Sequence, residues 1–278
     1  MKRNDLYDIA GRIAVVTGGY GVLGSSMALF LSQQGARVAI LGRNAERGEA
    51  KAREIAVATG GETLFLQADV LDKAALQSAC ERLVAEWGGV DILLNAAGGN
   101  QAGATIAPDQ TIFDLDTEAM RGVVDLNFMG TVLPTLVFGR AMAGREGKHK
   151  RGSIVNISSM AAQGVITRVV GYSASKAAID NFTRWMAVEM VKKFGEGVRV
   201  NAIAPGFFLT EQNRTLLTNP DGSLTERSRD IMAATPYGRF GKPEELNGTL
   251  GWLVSDASAF VTGVVVPVDG GFSIFSGV

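Results

Sequence analysis

Short apolar runs rich in β-branched residues alternate with longer segments of helical period along almost the whole chain, and this alternation constrains the fold more than any other feature. Runs at 13–17, 37–41 and 63–68 are followed by helical patterns at 22–35, 45–59 and 73–87. Further runs at 91–95, 153–158, 199–204 and 264–268 are separated by helical patterns within about 117–143, at 172–194 and near 243–255. Strands joined by helices run parallel, because each crossover returns the chain to the same end of the sheet. The run cores IAVV, VAIL, TLFL, DILL and SIVNI are apolar nearly throughout, the pattern of strands covered on both faces. The expected architecture is a doubly wound α/β domain with a seven-stranded parallel sheet and helices on both faces. No proline- or serine-rich linker divides the chain, so residues 1–278 are expected to form a single domain. The segment 206–241 is too long for a plain connection between strand and helix, and it reads as a substrate lid inserted after the sixth strand.

The turn after the first strand, VVTGGYGVLG, contains Gly18, Gly19, Gly21 and Gly24. A doubly wound sheet binds ligands at the carboxyl ends of its strands, where the first strand-to-helix turn can present bare backbone N–H groups to a pyrophosphate. A glycine cluster there also serves as a structural tight turn, so its position carries more weight than its composition. A cofactor with a free ribose 2′-hydroxyl commonly meets an acidic residue about 20 positions beyond such a loop. Here the second strand ends in Gly42-Arg43-Asn44. The guanidinium of Arg43 suits a 2′-phosphate, which favours NADP(H) over NAD(H), although a surface arginine opening a helix accounts for the same residue.

Charge narrows the partners. With 27 basic and 28 acidic residues the formal net charge is −1, so neither a nucleic-acid footprint nor an anionic-membrane footprint is present. The basic stretch REGKHKR at 145–151 reads as a solvated loop, and its His149 as solvated rather than catalytic. Cys80 is the single cysteine, which excludes an intrachain disulfide and a multi-cysteine metal site, and no metal-ligating constellation is visible. No run approaches the roughly 18 apolar residues of a membrane span, and the amino-terminal charges have no apolar stretch behind them. The expectation is a soluble, cytoplasmic protein.

Tyr172 and Lys176 in GYSASKAAIDNF stand four residues apart, on one helical face. A neighbouring ammonium favours phenolate, which would bring a tyrosine that normally titrates near 10 closer to neutrality. Ser159 closes a buried strand thirteen residues earlier, and the polar Asn127 lies inside the preceding helical pattern. In this order the glycine loop, ADV at Asp69, NAAG at 95–98, DLN at Asn127, ISS at Ser159, Tyr172-x-x-x-Lys176 and APGFFLT at 204–210 resemble the short-chain dehydrogenase/reductase family over almost the whole chain.

That resemblance implies a Rossmann fold, a nicotinamide cofactor and oxidoreductase activity. It implies that Tyr172 transfers the proton, that Lys176 lowers the tyrosine's pKa and bonds the nicotinamide ribose, that Ser159 orients the carbonyl, and that Asn127 helps hold Lys176 and a relay water. It places the cofactor against Gly18, Tyr20, Gly21, Val22, Leu23 and Gly24, against Arg43 and Asn44, and against Asp69 and Val70. Asn95, Ala96 and Gly98, then Pro205, Gly206, Phe208 and Thr210, complete the expected contacts, with Tyr172 and Lys176. Val22 replaces the family's middle loop glycine and Ala96 its second asparagine. Homotetramers joined through the helices at 117–143 and 172–194 and the last strand are likewise implied.

The lid is polar and charged, unlike a cover for a steroid or acyl chain. Together with AAGGNQAGAT and VPVDGGFSIFSGV it resembles the D-mannonate oxidoreductase, or fructuronate reductase, branch of that family. The resemblance implies a sugar-acid substrate, most simply the pair D-fructuronate and D-mannonate. Its carboxylate calls for an arginine and its hydroxyls for amides. Arg168 and Arg214 are the candidates for the first, and Asn100, Gln101, Gln212 and Asn213 for the second, each with ordinary surface or lid packing as the alternative. Two other readings stay open: another polyol or keto-sugar-acid reductase such as a 5-ketogluconate type, and a nicotinamide-binding sensor without turnover.

Overall fold

The computed structural model describes residues 5–144, 151–210 and 213–277. Seven strands form one sheet in the order β3-β2-β1-β4-β5-β6-β7, and every pairing is parallel. They are Ile13–Thr17 (β1), Arg37–Gly42 (β2), Thr63–Gln67 (β3), Ile92–Asn95 (β4), Gly152–Ile157 (β5), Val198–Pro205 (β6) and Val265–Val268 (β7). Alternate residues feed two separate apolar layers, as the two-residue period of a strand requires. Val15, Leu93, Ile154 and Val200 face one layer, and Val16, Ile92, Leu94 and Val155 the other. Helices Lys73–Trp87 (α3), Gly130–Ala143 (α5) and Val170–Phe194 (α6) cover the first face through Leu76, Leu83, Phe138 and Met186. Helices Val22–Gln33 (α1), Ala45–Thr59 (α2) and Asn247–Val254 (α9) cover the second through Met27, Leu31, Ile55 and Leu250.

Local chemistry sets the helix limits. The side chain of Asn44 accepts from the Arg47 amide and that of Asp72 from Ala74 and Ala75, while Gly60 and Gly88 end α2 and α3 in the left-handed conformation. The strand order reverses at β1, between β2 and β4, and the crevice opens at the carboxyl ends of these strands.

The helical pattern within 117–143 is divided. Thr117–Val124 (α4) passes through a π-helical turn, Asp125–Met129, before α5 begins. Such a turn shifts the residues after it around the helix axis, and it carries Asn127. By length and composition the 27-residue segment could cross a membrane; half of that apolar window is buried inside the fold. The segment 206–241, expected to be a lid, contains two helices among its described residues, Arg214–Leu217 (α7) and Glu226–Ala233 (α8). Its return is fixed by a bridge between Phe208 and Gly241. The basic stretch 145–150 with His149, and Gln212, lie outside the described residues.

Candidate active site

The glycine turn closes only because its glycines lack side chains. Gly18 has φ 63°, and a Cβ there would sit 2.9 Å from the Ala97 Cα; a Cβ on Gly24 would lie 2.4 Å from the Gly18 carbonyl oxygen. Gly21 precedes α1 in an extended conformation and provides no side-chain cap, so nothing on the cap residue competes for the helix's first amides. A bare helix start behind a tight glycine turn suits a pyrophosphate. Val22 occupies the first helical position, where a side chain is accommodated, and Leu23 reaches the main cavity.

The turn after β2 is organised by Tyr20. Its hydroxyl accepts from the backbone amides of Arg43 (3.1 Å) and Asn44 (3.2 Å). A Cβ on Gly42 would meet its ring at 2.3 Å, and the Arg47 guanidinium lies 5.2 Å from the ring centroid. Arg43 is exposed, with Nη1 3.7 Å from the Asp69 carboxylate. The side chain of Asn44 is engaged as the α2 cap, and that of Val70 is buried against Gly130 rather than presented to the crevice. Asn95 donates to Thr135 and to Asn156, tying β4 to α5 and β5. Thr17 accepts from the amides of Ala96 and Ala97, which fixes the turn leading to Gly98.

Tyr172 and Lys176 lie in the first two turns of α6. The Lys176 Nζ donates to the Ile157 carbonyl at 2.7 Å and stands 5.5 Å from the Tyr172 ring centroid. Burial pulls the ammonium down to about 8, opposed by Asp180 one turn further on. Asp180 is itself pushed up by burial and receives a very short hydrogen bond from the Ser158 hydroxyl. The surroundings of Tyr172 act on the pKa of its phenol in two directions. Burial raises it, because removing a phenolate from water outweighs the help it receives, and the opposing hydrogen bond comes from Ser159.

Asn127 also differs from expectation. Its amide donates to the Gly99 and Val123 carbonyls and its Oδ1 accepts from the Gly99 amide, so its side chain clasps the turn after β4 instead of the lysine. The link to Lys176 runs through packing: a Cβ on Gly98 would lie 2.7 Å from the Asn127 Oδ1 and 3.5 Å from the Lys176 Nζ.

A cavity of about 480 Å³ opens beside Tyr172 and Ser159 and is bounded by Pro205, Gly206, Phe208 and Thr210 after β6. Asn100, Gln101, Arg168 and Asn213 line it as expected. The Asn100 Oδ1 is buried without a hydrogen-bond partner among the described residues, and its amide nitrogen donates to the Thr105 hydroxyl at 2.8 Å. The Asn213 amide, by contrast, is committed to the lid: it donates to the Phe208 carbonyl and accepts from the Thr210 amide, so it is a turn-former and not a free ligand. The Gln101 amide nitrogen likewise donates to Ala119. Arg214 is exposed and is not part of the cavity wall; α7 turns it outward. Arg227 of α8 lines the wall instead. Nothing in the sequence singles it out from Arg214, Arg229 and Arg239 of the same lid.

Arg168 and Arg227 are the charged residues of this wall, and no carboxylate joins them among the described residues. Arg168 is the one described non-glycine residue with positive φ, 75°, a conformation that costs on the order of 1 kcal/mol or more and persists where surroundings enforce it. They do: its Nε donates to the Ile106 carbonyl at 2.7 Å, and its own carbonyl accepts from the Ile106 amide at 3.0 Å.

Comparison with known proteins bears on the chain as a whole. Residues 21–273 match the family described as enoyl-(acyl carrier protein) reductase. An uncharacterized oxidoreductase of Bacillus subtilis, UxuB, is 48% identical over 280 residues, covering 98% of each chain. A structure from Haemophilus influenzae described as a candidate D-mannonate oxidoreductase with bound NAD superposes with a TM-score of 0.89 at 41% identity, over 98% of both chains. A gluconate 5-dehydrogenase from Burkholderia cenocepacia, in complex with NADP and tartrate, superposes at 0.85 with 29% identity, over 97% of this chain and 99% of that one.

Proposed function

The chain belongs to the short-chain dehydrogenase/reductase family, and we propose that within it this enzyme interconverts a keto sugar acid and its hydroxy acid, with D-fructuronate and D-mannonate as the pair. The observation that carries the substrate class is the cavity wall: Tyr172 and Ser159 share one space with Arg168, and among the described residues no carboxylate lines it. An anionic polyhydroxy ketone matches such a wall, its carboxylate on the guanidinium and its hydroxyls toward the polar side chains beside it. The Haemophilus and Burkholderia neighbours, described as acting on sugar acids, support the reading.

The glycine turn, Tyr20 and the residues after β4 and β6 fit a nicotinamide dinucleotide, which supplies the hydride when bound. The chain's own part is to manage the oxygen. The Tyr172 phenol donates its proton to the carbonyl oxygen as that oxygen gains charge, and the Ser159 hydroxyl orients and stabilises it. The phenolate left behind is stabilised by the Ser159 hydrogen bond and by the Lys176 ammonium in a site with little water. In the oxidative direction the same groups accept the proton. This donor set argues against a sensor without turnover, because binding alone has no use for it.

NADP(H) is the favoured cofactor, with NAD(H) accepted. Arg43 and Arg47 flank Tyr20 where the second strand ends without an acidic residue, although Asp69 already lies 3.7 Å from Arg43. The enzyme is proposed to be a cytoplasmic homotetramer. A second substrate reading, a 5-ketogluconate type, is favoured by the gluconate 5-dehydrogenase neighbour. Purified enzyme mixed with NADPH or NADH and either D-fructuronate, 5-ketogluconate or a nonpolar ketone decides among these. Nicotinamide absorbance should fall fastest with D-fructuronate, with D-mannonate as product; turnover of 5-ketogluconate alone replaces the substrate, and turnover of the nonpolar ketone alone rejects the class.

A further inference from the structure

Arg227 stands apart from the rest of the lid. It is half-buried on α8, in a wall it shares with the body residue Arg168, while the substrate class proposed above requires only one cation. Its present partners are poor. Nη1 lies 3.4 Å from the Thr167 hydroxyl and Nη2 lies 3.5 Å from the Thr167 carbonyl, both at the outer limit of a hydrogen bond. Neither arginine forms an ion pair among the described residues. Arg168 repels Arg227 and only Asp230, on its own helix, works in the other direction. Two guanidiniums held toward one cavity, with no facing carboxylate among the described residues, form an incomplete ionic group.

We propose that Arg227 is a specificity-determining residue that completes, with Arg168, a two-arginine clamp for the substrate carboxylate. The proposal rests on the sugar-acid reading and extends it to the lid. Arg168 is the fixed jaw, since its Nε and its backbone carbonyl are both locked to Ile106 two residues before α6 begins. Arg227 is the movable one, because it exchanges long contacts to Thr167 for short charge-assisted bonds to a carboxylate. The clamp joins the lid to the loop immediately preceding Tyr172, so charge recognition at one end of the substrate draws the lid over the reacting end. A ketose with a hydroxymethyl group in place of the carboxylate fills the same space but leaves both cations unneutralised, and it is rejected on that account.

The test compares wild type with Arg227→Gln and Arg227→Lys in two measurements. In the first, calorimetric titration with D-mannonate and with the neutral polyol mannitol reads binding directly, with thermal melting to confirm that the variants fold. In the second, kcat/KM is measured for D-fructuronate and for fructose. The clamp predicts that Arg227→Gln weakens D-mannonate binding and raises the KM for D-fructuronate by about 10- to 100-fold, that values for the neutral compounds stay within about twofold, and that Arg227→Lys recovers part of the loss. Equal losses for acid and neutral compounds, or unchanged acid binding in Arg227→Gln, overturn it. If wild type prefers 5-ketogluconate, that acid replaces D-fructuronate in the same comparison, so a wrong substrate and a wrong clamp give different results. If wild type binds no carboxylate at all, both the reading and the clamp are overturned.

Discussion

Lys176 is the residue where burial and chemistry conflict most openly. It is 4% exposed, and its ammonium titrates at about 8 against 10.5 for the free side chain. Between those two pH values the unfolded chain binds more protons than the folded one, so this group's contribution to stability rises as pH rises through that interval. At neutral pH its burial costs about 3 kcal/mol, an order-of-magnitude figure from a shift of that size. A Lys176→Met variant removes the titration. The stability advantage of the variant over wild type, from denaturant melts at pH 7.5, 9 and 10, should therefore shrink steadily with pH, and a gap independent of pH contradicts the assignment. That Tyr172, Lys176 and Ser159 come together was legible in the sequence, because they stand at spacings set by one helix and one strand end. Their electrostatics were not: the sign of the Tyr172 shift depends on how much water the fold removes, which spacing does not encode.

At the scale of elements, the site depends on how closely the turn after β4 approaches α6 and the π-helical turn. A Cβ on Gly98 would crowd the Asn127 Oδ1 at 2.7 Å, with the Lys176 Nζ at an ordinary contact distance of 3.5 Å. Gly98→Ala should cost about 1–3 kcal/mol of stability through overpacking and lower turnover at the same time, as read by thermal melting and steady-state kinetics. A variant with wild-type stability and turnover rules out the packing link between Asn127 and Lys176. Strand and helix positions were legible from apolar periodicity, because β1, β2, β4, β5 and β6 are buried on both faces and most helices carry one apolar stripe. The lid was legible only as an interval. Arg227 and Arg214 carry the same charge in the same polar segment, and only the orientation of α8 places one of them in the cavity wall and α7 the other outside it. The engagement of Asn213 was hidden for a related reason: its amide satisfies the backbone of the turn it belongs to.

For the whole molecule, an apolar stripe remains in solvent along α6. Trp185 is 59% exposed and Val188 is 55% exposed, with Val191 at the same three-residue spacing and Leu136 exposed on α5. Covering this stripe by a second copy accounts for it, since large adjoining apolar side chains favour association. Sedimentation of wild type should report the mass of a tetramer, and Trp185→Glu should shift it to smaller species; a wild-type monomer contradicts the assembly. The central claim is that the cavity beside Tyr172 is where the substrate carbonyl receives its proton. Its most direct test is nicotinamide oxidation with D-fructuronate by wild type and Tyr172→Phe at saturating cofactor, alongside cofactor binding measured by nicotinamide fluorescence. The account predicts unchanged cofactor binding and a fall in turnover of about 100-fold or more in the variant. Turnover by Tyr172→Phe close to that of wild type would contradict it.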